Sequence, residues 1–143
     1  MIGIIVTGHG NFGSGLTSSL KLIAGEPADY QYVDFLAEYS VEDLERELAK
    51  AMEALKDCEG ILVLSDLAGG SPFKTAATLA QGKNVEVIGG SNLPMLIEMS
   101  MARNFITDLS ALTDMAVNTG KDQVVRFVLP TVNNGPVDGE DGI

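Results

Sequence analysis

The sequence has one histidine, one cysteine and no tryptophan. A lone cysteine excludes an internal disulfide, and one cysteine with one histidine cannot furnish a zinc site of the usual kind. No metal and no cofactor is expected. Basic residues are scarce too: 9 Lys and Arg against 20 Asp and Glu leave a formal net charge of −11. A nucleic-acid binder needs a basic footprint to neutralise phosphates, so the balance argues against that class. It is compatible with a soluble protein that meets a basic partner. No apolar run approaches the roughly 20 residues that span a bilayer, and the apolar start lacks the basic flank of a secretory signal. A cytoplasmic protein of bacterial type is therefore expected. The rest is ordinary globular material, 45% hydrophobic over 143 residues, enough for one domain that buries roughly 70% of its extended surface.

Strand and helix signals alternate along the chain. Ile2 to Thr7 is an apolar run of strand length, followed by a helix from about Phe12 to Ala24 with Phe12, Leu16, Leu20 and Ile23 on one face and Gly25 as its stop. Tyr30 to Phe35 is a second strand. Ser40, with Asp43 three residues on in place of the usual capping-box Glu, opens a helix whose buried stripe is Leu44, Leu48, Ala51, Met52 and Leu55. Ile61 to Ser65 suits a strand covered on both faces. Ser71 reads as an N-cap with Pro72 in the first turn, and Gly82 ends that helix. A fourth strand spans Val85 to Ile88. A helix begins at Asn92 to Pro94 and runs to about Arg103, and another is capped by Thr107 or Asp108 and ended by Gly120. Val124 to Leu129 reads as a last strand. Residues 1–130 form the domain on this reading, and 131–143, with Asn, Gly, Pro and acids but no periodicity, form a flexible tail.

This alternation predicts an α/β fold: an open, mostly parallel, doubly wound sheet with helices on both faces. With strand order 2-1-3-4, the chain reverses direction between strands 1 and 3, and ligands bind in the crevice at such a switch point. His9, between Gly8 and Gly10, follows strand 1, and Asp66 follows strand 3. The order brings an imidazole and a carboxylate together across the crevice. Gly69, Gly70 and Ser71 then turn directly into a helix, whose N-terminal N–H groups and dipole can hold a phosphoryl group.

Several decoys share these residues. Gly8-His9-Gly10-Asn11-Phe12-Gly13, with Asp34 closing the second strand, spells a dinucleotide fingerprint. A bulky histidine sits where pyrophosphate must approach, and there is no room for a substrate domain. A nucleotide-binding module, for a dinucleotide or FMN, is nevertheless the alternative reading. An FMN site lacks an obvious ring-stacking pair. A receiver domain would use Asp66 but lacks an acidic pair after strand 1. Hydrolase chemistry lacks both the G-x-S-x-G elbow and a second histidine.

Three segments taken together resemble a known family. Thr7-Gly8-His9-Gly10, Asp66-Leu67-Ala68-Gly69-Gly70-Ser71-Pro72-Phe73 and Gly90-Ser91-Asn92-Leu93-Pro94-Met95-Leu96 are similar, in order and spacing over about residues 1–129, to the EIIA component of the mannose family of the bacterial sugar phosphotransferase system. Gly69-Gly70-Ser71-Pro72-Phe73 points away from the related phosphotransfer subunit of dihydroxyacetone kinase. The resemblance implies a free-standing EIIA, a phosphotransferase that accepts a phosphoryl group from HPr on His9 and passes it to an EIIB partner. Membrane contact is then only indirect, through EIIC and EIID. It implies attack through the outer ring nitrogen, Asp66 orienting His9, and Gly69, Gly70 and Ser71 binding phosphoryl oxygens. Asn11, Phe12, Leu67, Pro94 and Met95 are expected at the partner-contact rim. It also implies a homodimer that exchanges an antiparallel last strand.

Overall fold

A computed structural model describes residues 1–131. Strands and helices alternate as β1 (Gly3–His9), α1 (Phe12–Ala24), β2 (Tyr30–Phe35), α2 (Val41–Ala54), β3 (Ile61–Ser65), α3 (Ser71–Ala80), β4 (Val85–Ile88), α4 (Leu93–Ala102) and α5 (Leu109–Asp122). The four strands form one parallel sheet in the order β2-β1-β3-β4, so the fold is α/β with the predicted strand order. No helix among the described residues is long and apolar enough to cross a membrane.

The central strands are mostly apolar because both their faces are covered. Side chains alternate along β1. Ile2, Ile4 and Val6 join Leu62 and Leu64 against Leu20, Leu96, Met99 and Leu112 of α1, α4 and α5. Ile5 and Val63 face the other way, into a second core made with Leu44, Leu48 and Met52 of α2 and Ala76 of α3. Each fully buried Leu or Ile is worth roughly 1.5–3 kcal/mol relative to exposure. The predicted capping box of α2 is present: Ser40 Oγ accepts from Asp43 N–H at 3.1 Å, and Ser40 N–H donates to the Asp43 carboxylate at 2.9 Å.

The structure corrects the sequence reading in several places. β1 runs on to His9, so the histidine is itself the last strand residue. Helix α1 buries Gly13, Thr17 and Leu20, while Ile23 stays 38% exposed. A Cβ at Gly13 would stand 2.9 Å from Asp34 Oδ1 and 3.0 Å from the Val6 carbonyl oxygen, so a glycine lets this helix lie close against β1 and β2. The N-cap of α3 is Gly70, and Ser71 is already helical. Gly120 does not end α5. The helix continues to Asp122, and a Cβ at Gly120 would stand 2.6 Å from Met95 Cε, so close packing against α4 explains this glycine. Val124, Val125, Phe127, Val128 and Leu129 are 74–80% exposed and pair with no strand among the described residues. The predicted last strand is therefore not formed among the described residues. The proposed flexible tail lies, but for Thr131, outside the described residues.

Candidate functional site

The parallel sheet brings the ends of β1 and β3 side by side, with Thr7 level with Ser65. His9 is two residues beyond Thr7, and Asp66 one beyond Ser65. The predicted pair therefore meets across 57 residues of sequence: His9 Nδ1 lies 2.8 Å from Asp66 Oδ2. The same oxygen accepts the His9 backbone N–H at 2.8 Å, and Oδ1 accepts the Leu67 N–H at 2.8 Å. Histidine is thus held to one carboxylate by both its peptide and its ring.

Burial pushes the Asp66 carboxyl up, but hydrogen bonds from the His9 backbone and ring, the His9 charge and the Leu67 N–H outweigh it, and the net shift is downward. Asp66 is ionised near neutral pH and can only accept. Its bond to Nδ1 therefore selects the Nδ1–H tautomer, and a neutral ring then carries its free lone pair on Nε2. The Asp66 side chain is 16% exposed and that of His9 48%. Carboxylate and proton are sheltered, while the imidazole stands open to a partner.

The third predicted element closes on the same ring. The chain turns through Gly69, whose φ of +82° favours glycine. Gly70 N–H then donates to the Leu67 carbonyl at 3.0 Å, and Gly70 caps α3 without a side-chain bond. A Cβ on Gly70 would lie 2.9 Å from His9 Cε1. The imidazole is packed against the N-terminus of a ten-residue helix, whose first-turn N–H groups favour a negative group. The Gly90-Ser91-Asn92 segment supports this loop from behind. Gly90 N–H donates to the Asp66 carbonyl at 3.2 Å and Ser91 N–H to the Ser65 carbonyl at 3.0 Å.

The rim is only partly as expected. Asn11 and Leu67 are exposed, and Phe12 and Pro94 half-buried. Met95 is 3% exposed within the α1-side core, so it is not a rim residue; its long, flexible side chain fills the space above Gly120. Phe35 escaped the sequence reading. It ends β2 level with His9, and the two ring centroids are 5.8 Å apart at a tilt of 57°. An aromatic at a strand end is a weak signal, and only the register of the sheet turns it into a neighbour.

The dinucleotide decoy loses its acid. Asp34 Oδ1 accepts the Ser14 N–H at 2.8 Å, so this carboxylate caps α1 in place of Asn11, which makes no side-chain cap. Phe12 covers Gly8, where a Cβ would come within 2.6 Å of its ring.

Comparison with known proteins agrees with this fold. The family model described as "PTS system fructose IIA component" matches residues 3–117. The chain is 33% identical over 124 residues to the mannose-specific EIIAB component of Escherichia coli strain K12, covering 86% of this chain but only 38% of that relative. It is 30% identical over 119 residues to the fructose-specific EIIA component of Bacillus subtilis, covering 82% and 79% of the two chains. Among solved structures, a phosphotransferase system component EIIA from Streptococcus agalactiae superposes with a TM-score of 0.81 at 35% identity, covering 88% of this chain and 97% of the other. A mannose/sorbose-specific IIA subunit from Enterococcus faecalis gives a TM-score of 0.84 at 26% identity, covering 92% and 98%. Fold, strand order and sequence thus converge, and the chain belongs to the EIIA-man family of the sugar phosphotransferase system.

Proposed function

We propose that this chain is a phosphocarrier for sugar uptake, accepting a phosphoryl group from phospho-HPr on His9 and delivering it to an EIIB protein in the cytoplasm. The observation that carries this reading is the 2.8 Å pairing of His9 Nδ1 with Asp66 beside the N-terminus of α3. The Nε2 lone pair attacks phosphorus, the bond from phosphorus to the donor imidazole breaks, and its electron pair stays on the donor nitrogen. Asp66 keeps the Nδ1 proton in place and supports the positive charge that develops on the ring. The hydroxyl of Ser71 and the N–H groups at Gly69 and Ser71 bind the phosphoryl oxygens, while the Gly70 N–H, expected among these donors, is engaged by the Leu67 carbonyl. Delivery to EIIB reverses the step.

Incubation with phosphoenolpyruvate, enzyme I and HPr is expected to add one acid-labile, alkali-stable phosphoryl group per chain. A His9→Ala protein that still takes up label would refute the assignment. Contact with the membrane components EIIC and EIID is indirect on this reading.

The working unit is a homodimer. Support comes from the open edge of β4 together with the exposed apolar run 124–129. Such a run left unpaired invites strand addition, and exchange between two copies with C2 symmetry satisfies it. Sedimentation equilibrium is expected to show a dimer of the 15.1 kDa chain, and a monomer at micromolar concentration would remove this part of the reading.

A further inference from the structure

We infer that Phe35 is a positioning residue for phosphoryl transfer, holding the plane of the His9 imidazole so that Nε2 faces the incoming group. This rests on the phosphocarrier reading above. Two contacts grip one edge of the ring. Asp66 Oδ2 holds Nδ1 at 2.8 Å, and the backbone of Gly70 lies against the adjacent atom Cε1. The imidazole turns about its Cα–Cβ and Cβ–Cγ bonds, and a small turn about either carries Nε2 off the line of attack. The Phe35 ring supplies a further contact, beside those two, that limits such turns. Its centroid lies 5.8 Å from that of His9 with a tilt of 57°, inside the range of about 4.5–7 Å in which tilted aromatic pairs attract.

Phe35 is itself fixed, which a supporting wall must be. It ends β2 in register with His9, and its carbonyl accepts the Gly10 N–H at 2.8 Å. Its half-buried side chain packs on the core beneath α2 and α3. The chain residue that follows the reactive histidine is therefore tied to the residue that faces the reactive ring. The contact is modest in energy. Misplacement of a reacting atom nevertheless costs rate, so a loss of about three- to tenfold is expected.

His9 is the sole histidine, so imidazole ¹⁵N signals from the whole protein belong to it alone. Phe35→Leu keeps an apolar side chain. It is expected to lower kcat for transfer from phospho-HPr about three- to tenfold with KM unchanged, and to move the ¹⁵N spectrum from one Nδ1–H tautomer towards a mixture. Phe35→Tyr is expected to restore both. Should the Leu variant fail to fold, Phe35→Met, which fills more of the space, takes its place. A folded Leu or Met variant with wild-type kcat and an unchanged ¹⁵N spectrum overturns the inference. So does a rise in KM alone, which marks a partner contact instead. A wild-type protein that accepts no phosphoryl group at all refutes the phosphocarrier reading, whereas an active wild type matched by its Leu variant refutes only the role of Phe35.

Discussion

The two ends of the sheet use the same kind of joint for opposite purposes. At the C-terminal end, the Asp66 carboxylate gathers two backbone N–H groups and one ring N–H, each at 2.8 Å. At the N-terminal end, the Arg103 guanidinium donates to the carbonyls of Ile2 at 3.0 Å, Asp29 at 2.9 Å and Ala28. Each charge ties separate segments of chain together. Arg103 is only 4% exposed, and burial pulls its pKa down against the opposing pull of Asp29, Cys58 and Tyr30. Among the described residues its hydrogen bonds all go to peptide carbonyls. The Asp66 joint instead includes a half-exposed imidazole with one nitrogen unused by it. A buried charge that hydrogen-bonds only to backbone fixes architecture; one that also accepts from an exposed ring can direct chemistry.

Exchanging the readouts of the two joints sharpens the contrast. The largest effect is expected from Asp66→Asn. Three donors face a group that now carries a donor of its own, so the ring loses its preferred tautomer. Single-turnover transfer from phospho-HPr should fall by about 10²–10⁴-fold while the fold and dimer persist. A folded variant with wild-type transfer would mean that Asp66 does not direct the chemistry of His9. The same substitution tests pH dependence. The Asp66 pKa is lowered on folding, so its contribution to stability is present at neutral pH and is lost as pH falls below about 4, through the folded value. The stability difference between wild type and the Asn variant should therefore shrink on acidification over that range, measured by urea unfolding.

Arg103→Met is next in size and opposite in kind. It leaves buried carbonyls without their donor, and unfolding free energy should drop by about 2–4 kcal/mol in urea titrations. Transfer by the protein that remains folded should be unchanged. A comparable loss of transfer rate would show that the Arg103 joint reaches the site after all.

Gly70→Ala should give the smallest change and separate the two readouts within one residue. Gly70 has an extended backbone, φ −74° and ψ 168°, which alanine adopts without strain. Stability should change by less than about 1 kcal/mol. The new Cβ, however, would stand 2.9 Å from His9 Cε1 and must displace the ring. Transfer is expected to fall about tenfold. Equal rates for the two proteins would mean that the ring tolerates displacement.

Much of this was legible in the sequence because it depends on local pattern. The apolar runs of β1 and β3, the Ser40–Asp43 box and the Asn92 cap each announce themselves within a few residues, and the switch-point rule converts strand order into the His9–Asp66 pair. What stayed hidden depends on how elements approach one another. Gly13 reads as part of a dinucleotide fingerprint and Gly120 as a helix stop, yet both are close-packing positions between elements. Ile23 fits the helical stripe, but the tight seat of α1 rotates the buried face to Gly13 and Thr17. Arg103 reads only as the end of a helix, since nothing local shows that the residues before β1 and β2 present carbonyls to it. Phe35 needed the register of β2 against β1 before it could be seen beside His9.

The openness of His9 has a kinetic consequence under the proposed reading. With the ring 48% exposed at the sheet's rim and exposed Gly10, Asn11 and Leu67 around it, there is one landing place for two large visitors. Donor and acceptor must take turns, and each has to leave before the other can arrive. Tight attachment to either would stall the traffic, so brief, weak encounters are what the geometry rewards. An excess of unphosphorylated HPr should accordingly slow discharge to EIIB, and a discharge rate indifferent to that excess would mean that the two dock at separate places.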